Sequence, residues 1–224
     1  MAMPRPEVKY EDTWICKIYK EYPDSIIIDK SRRASTTFRL VQEGGGGKDG
    51  NKGSDLLEFY RPDIVIMQLG ITDCAPRYVN HRSYFIKIIN YLPKFIKNAY
   101  YKHIRKTRVR NPDYATVSLE EFKFNLLNYF NRANEINSHV IAIKIAPVTK
   151  QFVKKSPYIN DNIKKYNIIY EEVSSENNNS SLIEPFDIEN VEKYAIDEFH
   201  VNKAGHQIIF NKIKKVLDKR LCLK

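Results

Sequence analysis

Two near-continuous apolar runs constrain the fold more than any other feature of this sequence. The first occupies residues 63–69 (DIVIMQL) and stops at a glycine, and the second occupies residues 139–146 (HVIAIKIA) and stops at a proline. Short runs rich in β-branched residues are typical of parallel strands that are covered on both faces. A shorter run at residues 25–29 (SIIID) and a weaker one at residues 181–183 (SLI) are further candidate strands.

Segments with helical periodicity lie around and between these runs. Residues 12–22 and 160–176 carry apolar side chains at helical spacing. A helix over residues 118–136 begins with a capping box (SLEE), and Asn202 is a good cap residue for a last helix. Strands that alternate with helices predict a three-layer α/β/α sandwich with a mostly parallel central sheet, similar to flavodoxin. We expect residues 1–224 to form one such domain.

Two segments interrupt the alternation. Six of the 8 glycines lie in residues 44–53, so residues 42–55 predict a flexible surface loop. Its spacing does not match a phosphate-binding loop. Residues 84–110 predict a basic helical insertion or a helix pair directly after the strand at residues 63–69. Material at this end of a strand can shape a ligand crevice, but plain packing is the simpler interpretation.

The formal charge of +10 raises the question of a nucleic-acid partner. Residues 97–110 (KNAYYKHIRKTRVR) are basic with interleaved aromatics, as a nucleic-acid footprint would be. However, lysine and tyrosine are abundant along the whole chain, and no nucleic-acid module is recognisable. We therefore favour a general compositional bias over nucleic-acid binding. Acidic polysaccharides or nucleotide sugars would suit the same charge.

The composition also bounds the cellular setting. A 42% apolar and 29% charged share is ordinary for a globular protein. No stretch approaches the roughly 18 to 20 consecutive apolar residues of a spanning helix, and residues 1–6 lack the apolar core of a signal peptide. Three cysteines without C-x-x-C spacing predict reduced thiols and no zinc site. We expect a cytoplasmic protein with no membrane partner.

Two short motifs carry residue types suited to chemistry. Residues 197–200 (DEFH) precede the last helix, where Asp197 can orient His200 as a base and stabilise its imidazolium form. Residues 70–73 (GITD) follow a strand, where free backbone N–H groups can face a developing oxyanion. The alternative for the second motif is a loop in which Asp73 merely caps the next segment.

Together these motifs resemble the SGNH/GDSL hydrolase family over nearly the whole chain. The third family block, G-x-N-D, is similar to residues 70–73, and the fifth, D-x-x-H, is similar to residues 197–200, with the resemblance continuing through HVNKAGHQII. The second block, a glycine-containing turn, aligns with residues 31–37 (SRRASTT). Residues 156–167 resemble the stretch before the penultimate helix of the family.

The resemblance implies an ester hydrolase with a Ser-His-Asp mechanism. His200 would be the general base and Asp197 its orienting partner, and the oxyanion-hole candidates are Thr72, Ala34 and Gly70. The substrate would be a small-molecule or glycan acyl ester, such as an O-acetyl group, cleaved through an acyl-enzyme. The resemblance implies no metal and no organic cofactor.

Two departures from the family concern the oxyanion hole. Thr72 stands where the family has Asn, and a shorter hydroxyl is a poorer substitute for an amide donor. Ala34 or Arg33 stands where Gly is expected, although the backbone N–H survives that change.

The third departure is the absence of the G-D-S block that supplies the nucleophile. Residues 3–6 (MPRP) resemble the stretch that follows this block, so we expect the first strand and its serine to lie upstream of Met1. Ser31 and Ser35 are nearby substitutes, but both are more simply turn residues. We therefore expect the chain as written to be inactive or weakly active.

Two other functions stay open. One is a catalytically inactive carbohydrate- or partner-binding protein that uses the same crevice. The other, which we favour less, is a basic nucleic-acid-binding protein that uses the helix near Arg105. The substrate, the choice between hydrolysis and acyl transfer, and the oligomeric state are not set by the sequence.

Overall fold

A computed structural model describes residues 3–41, 56–76, 84–104 and 115–222. The predicted glycine-rich loop at residues 42–55 and the end of the basic run at residues 105–110 lie outside the described residues. The described residues contain three strands, β1 (Ile64–Met67), β2 (His139–Ile143) and β3 (Ser180–Ile183). Their helices are α1 (Trp14–Glu21), α2 (Phe38–Val41), α3 (Ile71–Cys74), α4 (Tyr84–Tyr91), α5 (Lys94–Ile104), α6 (Leu119–Glu135), α7 (Lys150–Lys155), α8 (Ile159–Ser175), α9 (Val191–Tyr194) and α10 (Lys203–Leu221).

The three strands form a parallel sheet in the order β1-β2-β3, which confirms the predicted sheet. Val65 lies opposite Val140, and Ile141 lies opposite Ser181. Every residue of β2 is buried, as the prediction of a strand covered on both faces requires. The first three residues of β1 are only half-buried, because β2 is its one partner strand among the described residues.

Side chains of β2 alternate between two apolar layers. Val140 and Ala142 belong to a cluster with α6 and α8, whereas Ile141 and Ile143 belong to a cluster with α1 and α10. This alternation follows from the two-residue period of a strand. The molecule therefore has the predicted three-layer α/β/α arrangement, and the carboxyl ends of all three strands lie at one edge of the sheet.

The predicted helix starts are confirmed by their caps. Ser118 Oγ accepts a hydrogen bond from Glu121 N (3.2 Å), and Glu121 Oε2 accepts one from Ser118 N (3.1 Å), which completes the capping box of α6. Asn202 Oδ1 accepts from Gly205 N (2.9 Å) at the start of α10. The helix predicted over residues 12–22 begins later, at Trp14, because the Thr13 side chain caps it there.

The predicted strand at residues 25–29 is wrong, because the structure gives this segment no regular structure. Ile26 is 95% exposed, and Ile28 is also exposed. The carbonyl of Ile27 accepts a hydrogen bond from the Tyr19 hydroxyl (3.1 Å) rather than from a strand. An apolar run of this length becomes a strand only where a neighbouring strand pairs with it, and no described residue does so.

The predicted insertion at residues 84–110 is a helix pair as far as the structure describes it. Leu92 and Pro93 separate α4 from α5. No helix within residues 3–41, 56–76, 84–104 and 115–222 is both long and apolar enough to span a bilayer.

Candidate active site

A tight turn between α9 and α10 carries the predicted base. Ala195 pairs antiparallel with Val201, and Ile196 N donates a hydrogen bond to His200 O (2.7 Å). Thr149, which follows β2, donates its backbone N–H to Glu198 O (3.0 Å). This bond fixes the turn at the carboxyl edge of the sheet, where open α/β proteins bind their ligands.

Asp197 and His200 are in direct contact within this turn. The distance from Asp197 Oδ2 to His200 Nδ1 is 2.7 Å. Asp197 Oδ1 accepts from the backbone N–H groups of Phe199 (3.0 Å) and His200 (2.9 Å). Burial alone would raise the pKa of Asp197, but these hydrogen bonds outweigh it and hold the pKa below its usual value. The carboxylate is therefore ionised at neutral pH and fixes the orientation of the ring.

The second ring nitrogen of His200 contacts the guanidinium group of Arg5. A guanidinium has only donors, so Nε2 accepts and Nδ1 carries the proton that is donated to Asp197. Burial lowers the pKa of His200, and the positive charge of Arg5 lowers it further, whereas Asp197 opposes the shift. His200 is thus neutral at pH 7, with Arg5 covering the lone pair that a general base would use.

Arg5 is a site residue that sequence reasoning missed. Backbone hydrogen bonds between Arg5 and Val8 (3.0 Å in both directions) hold its segment in place. Its Nε is buried and has no hydrogen-bond partner among the described residues. One sequence feature could have identified Arg5 as a site residue. Arg5 lies in residues 3–6, which resemble the stretch that follows the nucleophile block of the SGNH/GDSL family.

The strand-end turn at residues 70–73 is organised by the buried carboxyl group of Asp73. Gly70 has a φ of 115° and precedes α3, the single turn of helix in which Thr72 lies. Asp73 Oδ1 accepts hydrogen bonds from Thr37 N (2.7 Å) and Thr37 Oγ1 (2.6 Å). Asn125 Nδ2 also donates to Thr37 Oγ1 (3.2 Å). The Asp73 side chain therefore binds Thr37, the residue that precedes α2, rather than capping the segment that follows Asp73.

Burial also changes the proton affinity of this carboxyl group. Asp73 is fully buried, which raises its pKa to about 6 against the opposing hydrogen bonds from Thr37. Its second oxygen, Oδ2, is buried without a hydrogen-bond partner in the described part of the chain. The group joins the segment at residues 31–37 to the end of β1, so the two predicted sources of oxyanion donors are held together.

Residues 31–36 form a turned segment that is exposed or half-buried, and Thr37 after it is buried. Ala34 is exposed and has a φ of 55°, a left-handed conformation that favours the glycine expected there by the resemblance. Ser31 N donates to Asp29 Oδ1 (2.8 Å), and Ser35 Oγ donates to Arg32 O (3.1 Å). The structure thus brings Asp197, His200 and Arg5 together, and it gives neither serine a hydrogen bond to His200 within the described residues.

No cluster that could hold a metal occurs in the described ranges. There, no group of three or more His, Cys, Asp or Glu side chains converges on one point. Cys16 and Cys74 are buried, Cys222 is exposed, and none of the three forms a disulfide.

Comparison with known proteins shows similarity at the level of the fold. No protein-family model matches the chain, and no curated protein matches it either. Among solved structures, the psychrotrophic esterase EstA from Pseudoalteromonas sp., in a structure inhibited by monoethylphosphonate, superposes with a TM-score of 0.53 at 17% sequence identity. That match covers 94% of this chain and 91% of EstA.

Two further enzymes show the same similarity. An α/β hydrolase enzyme from the metagenome of Lake Arreo, Spain, has a TM-score of 0.55 at 14% identity, covering 90% of this chain and 79% of the enzyme. A catalytic mutant of an acetylxylan esterase from Geobacillus stearothermophilus has a TM-score of 0.53 at 13% identity, covering 91% and 80%. The chain therefore has an esterase-like α/β fold.

Proposed function

We propose that this protein acts on acyl esters, such as O-acetyl groups on carbohydrate, with His200 as general base and Asp197 as its orienting partner. The observation that carries the proposal is the 2.7 Å contact between Asp197 Oδ2 and His200 Nδ1 at the carboxyl edge of the sheet. The esterase-like fold supports it, since ligand sites in open α/β sheets lie at that edge.

The proposed chemistry follows the serine-hydrolase scheme. A serine hydroxyl gives its proton to His200 Nε2 while its oxygen attacks the ester carbonyl, and backbone N–H groups near Gly70, Thr72 and Ala34 stabilise the oxyanion. The alcohol leaves with the proton held by His200, and water activated by the same nitrogen releases the acyl group. The ionised Asp197 stabilises the imidazolium that forms in both steps.

The nucleophile is the catalytic group that this proposal does not assign to a described residue. Among the described residues, the group on His200 Nε2 is Arg5 rather than a hydroxyl. We therefore propose that no serine among the described residues is the nucleophile. Loss of a triad nucleophile leaves a residual acceleration of about 10³ to 10⁴ over water, and we expect the low end because Thr72 replaces an amide donor.

Hydrolysis of p-nitrophenyl acetate tests this proposal. The 224-residue chain should show little turnover, and an engineered chain extended by a strand ending in Gly-Asp-Ser should recover it. His200→Ala should abolish the recovered activity, whereas His103→Ala, at an exposed histidine of α5, should not. Robust turnover by the unextended chain that disappears in Ser31→Ala or Ser35→Ala would overturn the proposal, because one of those serines would then be the nucleophile.

A second candidate function is a catalytically inactive carbohydrate-binding protein, and the contact between Arg5 and His200 favours it. A guanidinium group over the base blocks proton transfer, and guanidinium groups bind the carboxylates of acidic sugars through charge-assisted hydrogen bonds. Retention of an acidic oligosaccharide by the unextended chain, lost in Arg5→Ala, would support this function if the extended chain is folded but inactive.

A further inference from the structure

Helices α4 and α5 form a hairpin that is held together by its own side chains. The Tyr101 hydroxyl of α5 donates to Asn90 Oδ1 of α4 (2.8 Å). The rings of Phe85 and Tyr100 pack edge to face with centroids 6.0 Å apart. The two helices therefore contact each other through at least these two side-chain pairs.

That surface exposes large apolar side chains. Tyr91 is 91% exposed, Tyr84 77% and Phe95 75%. Tyr84, Ile88 and Tyr91 recur at helical spacing and line one open depression, so they form a continuous patch rather than isolated residues. Continuous exposed apolar patches on folded proteins mark sites of interaction. We use the name aromatic patch for the exposed residues Tyr84, Phe85, Ile88, Tyr91, Phe95 and Ile96.

The charge around the aromatic patch has one sign. Residues 84–104 contain four lysines and one histidine but no aspartate or glutamate. Lys94 is exposed at the start of α5, and Lys102 is exposed near its end. Exposed aromatic and aliphatic side chains bordered by lysines are the composition of helices that lie in the interface of an anionic membrane.

The same observations weigh against two other occupants. A second copy of this chain would bring lysines against lysines in a symmetric contact, with no acidic residue of the hairpin to offset them. A nucleic acid would suit the lysines and the rings, but exposed aliphatic side chains such as Ile88 and Ile96 gain nothing from stacking on bases. Of these three occupants, a lipid surface suits both the charge and the two kinds of apolar side chain.

We infer that the α4–α5 hairpin docks the protein on an anionic lipid bilayer, with the aromatic patch at the headgroup level and the lysines facing anionic headgroups. This inference departs from the sequence-based expectation of no membrane partner. It describes attachment to the surface of a bilayer, not passage through it. It does not depend on the ester-hydrolase proposal.

Co-sedimentation with vesicles tests the inference. The complete chain should pellet with vesicles made of equal parts phosphatidylcholine and phosphatidylglycerol, and far less with phosphatidylcholine alone. Lys94→Glu combined with Lys97→Glu should weaken binding by roughly tenfold or more, since each basic residue near an anionic surface contributes about 1 kcal/mol. Phe95→Ser combined with Tyr91→Ser should abolish vesicle binding.

Phe124→Ser is the matched control, because Phe124 of α6 is an exposed aromatic (64%) outside the aromatic patch. It should leave vesicle binding unchanged. A second measurement does not depend on variants that could be destabilised. In Phe95→Trp, the fluorescence of the new indole should shift to the blue when anionic vesicles are added. The fluorescence of the buried Trp14 in the unmodified chain should not shift.

Three results would overturn the inference. The first is an absence of binding by the complete chain to the anionic vesicles. The second is equal binding to both vesicle types. The third is a dimer or a complex with single-stranded DNA that is lost in the Phe95 and Tyr91 variant while vesicle binding persists.

Discussion

Burial and two charged neighbours, Asp197 and Arg5, shift the proton affinity of the His200 imidazole. Burial lowers its pKa, Asp197 raises it through a hydrogen bond and its charge, and Arg5 lowers it through its charge. The two charged neighbours shift the pKa of His200 in opposite directions. Substitution of each neighbour therefore reports on the contact without any measurement of activity.

We predict that the pKa of His200 rises in Arg5→Ala and falls further in Asp197→Asn. The reason is that the first change removes a repelling positive charge and the second removes the carboxylate that stabilises the imidazolium. NMR titration of the histidine ring protons measures both shifts. A His200 titration that is identical in both variants and the unmodified chain would contradict the described geometry.

At the scale of residues, the sequence predicted contacts between near neighbours in the chain and missed those between distant positions. Asp197 and His200 are three positions apart, so turn geometry alone made their contact predictable. Arg5 reaches His200 across 195 positions, and Asp73 reaches Thr37 across 36. Such pairs depend on the packing of several elements, for which residue spacing carries no information.

At the scale of elements, the connection from β1 to α3 depends on Gly70. Its φ of 115° lies where L-residues are strained. A Cβ on this residue would also lie 2.5 Å from both Cδ1 and Cγ1 of Ile145, in the segment that follows β2. Glycine is required here because the backbone turns sharply beside the neighbouring segment.

Gly70→Ala should lower the free energy of unfolding by about 2 kcal/mol or more, because backbone strain and a steric clash add. Urea denaturation followed by circular dichroism measures the loss. Ala34→Gly is the matched control, since Ala34 also has a positive φ but is exposed, and it should keep or slightly raise stability. Unchanged stability in Gly70→Ala would mean that the turn has a different conformation.

Elements were predictable where local signals and burial agreed. The capping box placed α6, and the buried run placed β2, within a few residues of their observed ends. The run at residues 25–29 contains three consecutive isoleucines but has no pairing partner among the described residues, so its prediction failed. Periodicity describes which faces of a segment can be buried, whereas strand formation also requires a neighbouring backbone.

At the scale of the whole molecule, Asp73 and His206 are buried titratable groups on opposite faces of the sheet. Asp73 lies on the side of α6, with its pKa raised to about 6 by burial. His206 lies on the side of α1, where its Nδ1 accepts from Trp14 N (3.3 Å) and burial lowers its pKa to about 4. The two groups therefore influence the pH dependence of stability in opposite directions.

The signs follow from proton binding in the folded and unfolded states. Folded Asp73 binds protons more tightly than unfolded Asp73, so its contribution to stability is present below its unfolded pKa and is lost as pH rises through about 6. Folded His206 binds protons more weakly, so its contribution is present above pH 6.5 and is lost as pH falls through about 4. Acidification from pH 6.5 to 4 gains stability at one site and loses it at the other.

When the pH is lowered from 6.5 to 4, we predict that the free energy of unfolding falls further in Asp73→Asn than in the unmodified chain, by roughly 2 to 3 kcal/mol. In His206→Asn the free energy of unfolding should fall less than in the unmodified chain. The reason is that Asn retains an acceptor for Trp14 N but does not titrate. Urea unfolding at several pH values measures both, with exposed His103→Asn as the control. Parallel pH profiles for all four proteins would refute the assignment of these two buried groups.

The hydrogen bonds between Asp73 and Thr37 also have a consequence for the proposed ester site. They join the segment at residues 31–37 to the end of β1 in the free protein. In the proposed ester site, a substrate that binds between these segments need not order either of them, so little conformational entropy would be lost on binding. The same rigidity would favour substrates that fit the free protein over those that require it to change shape.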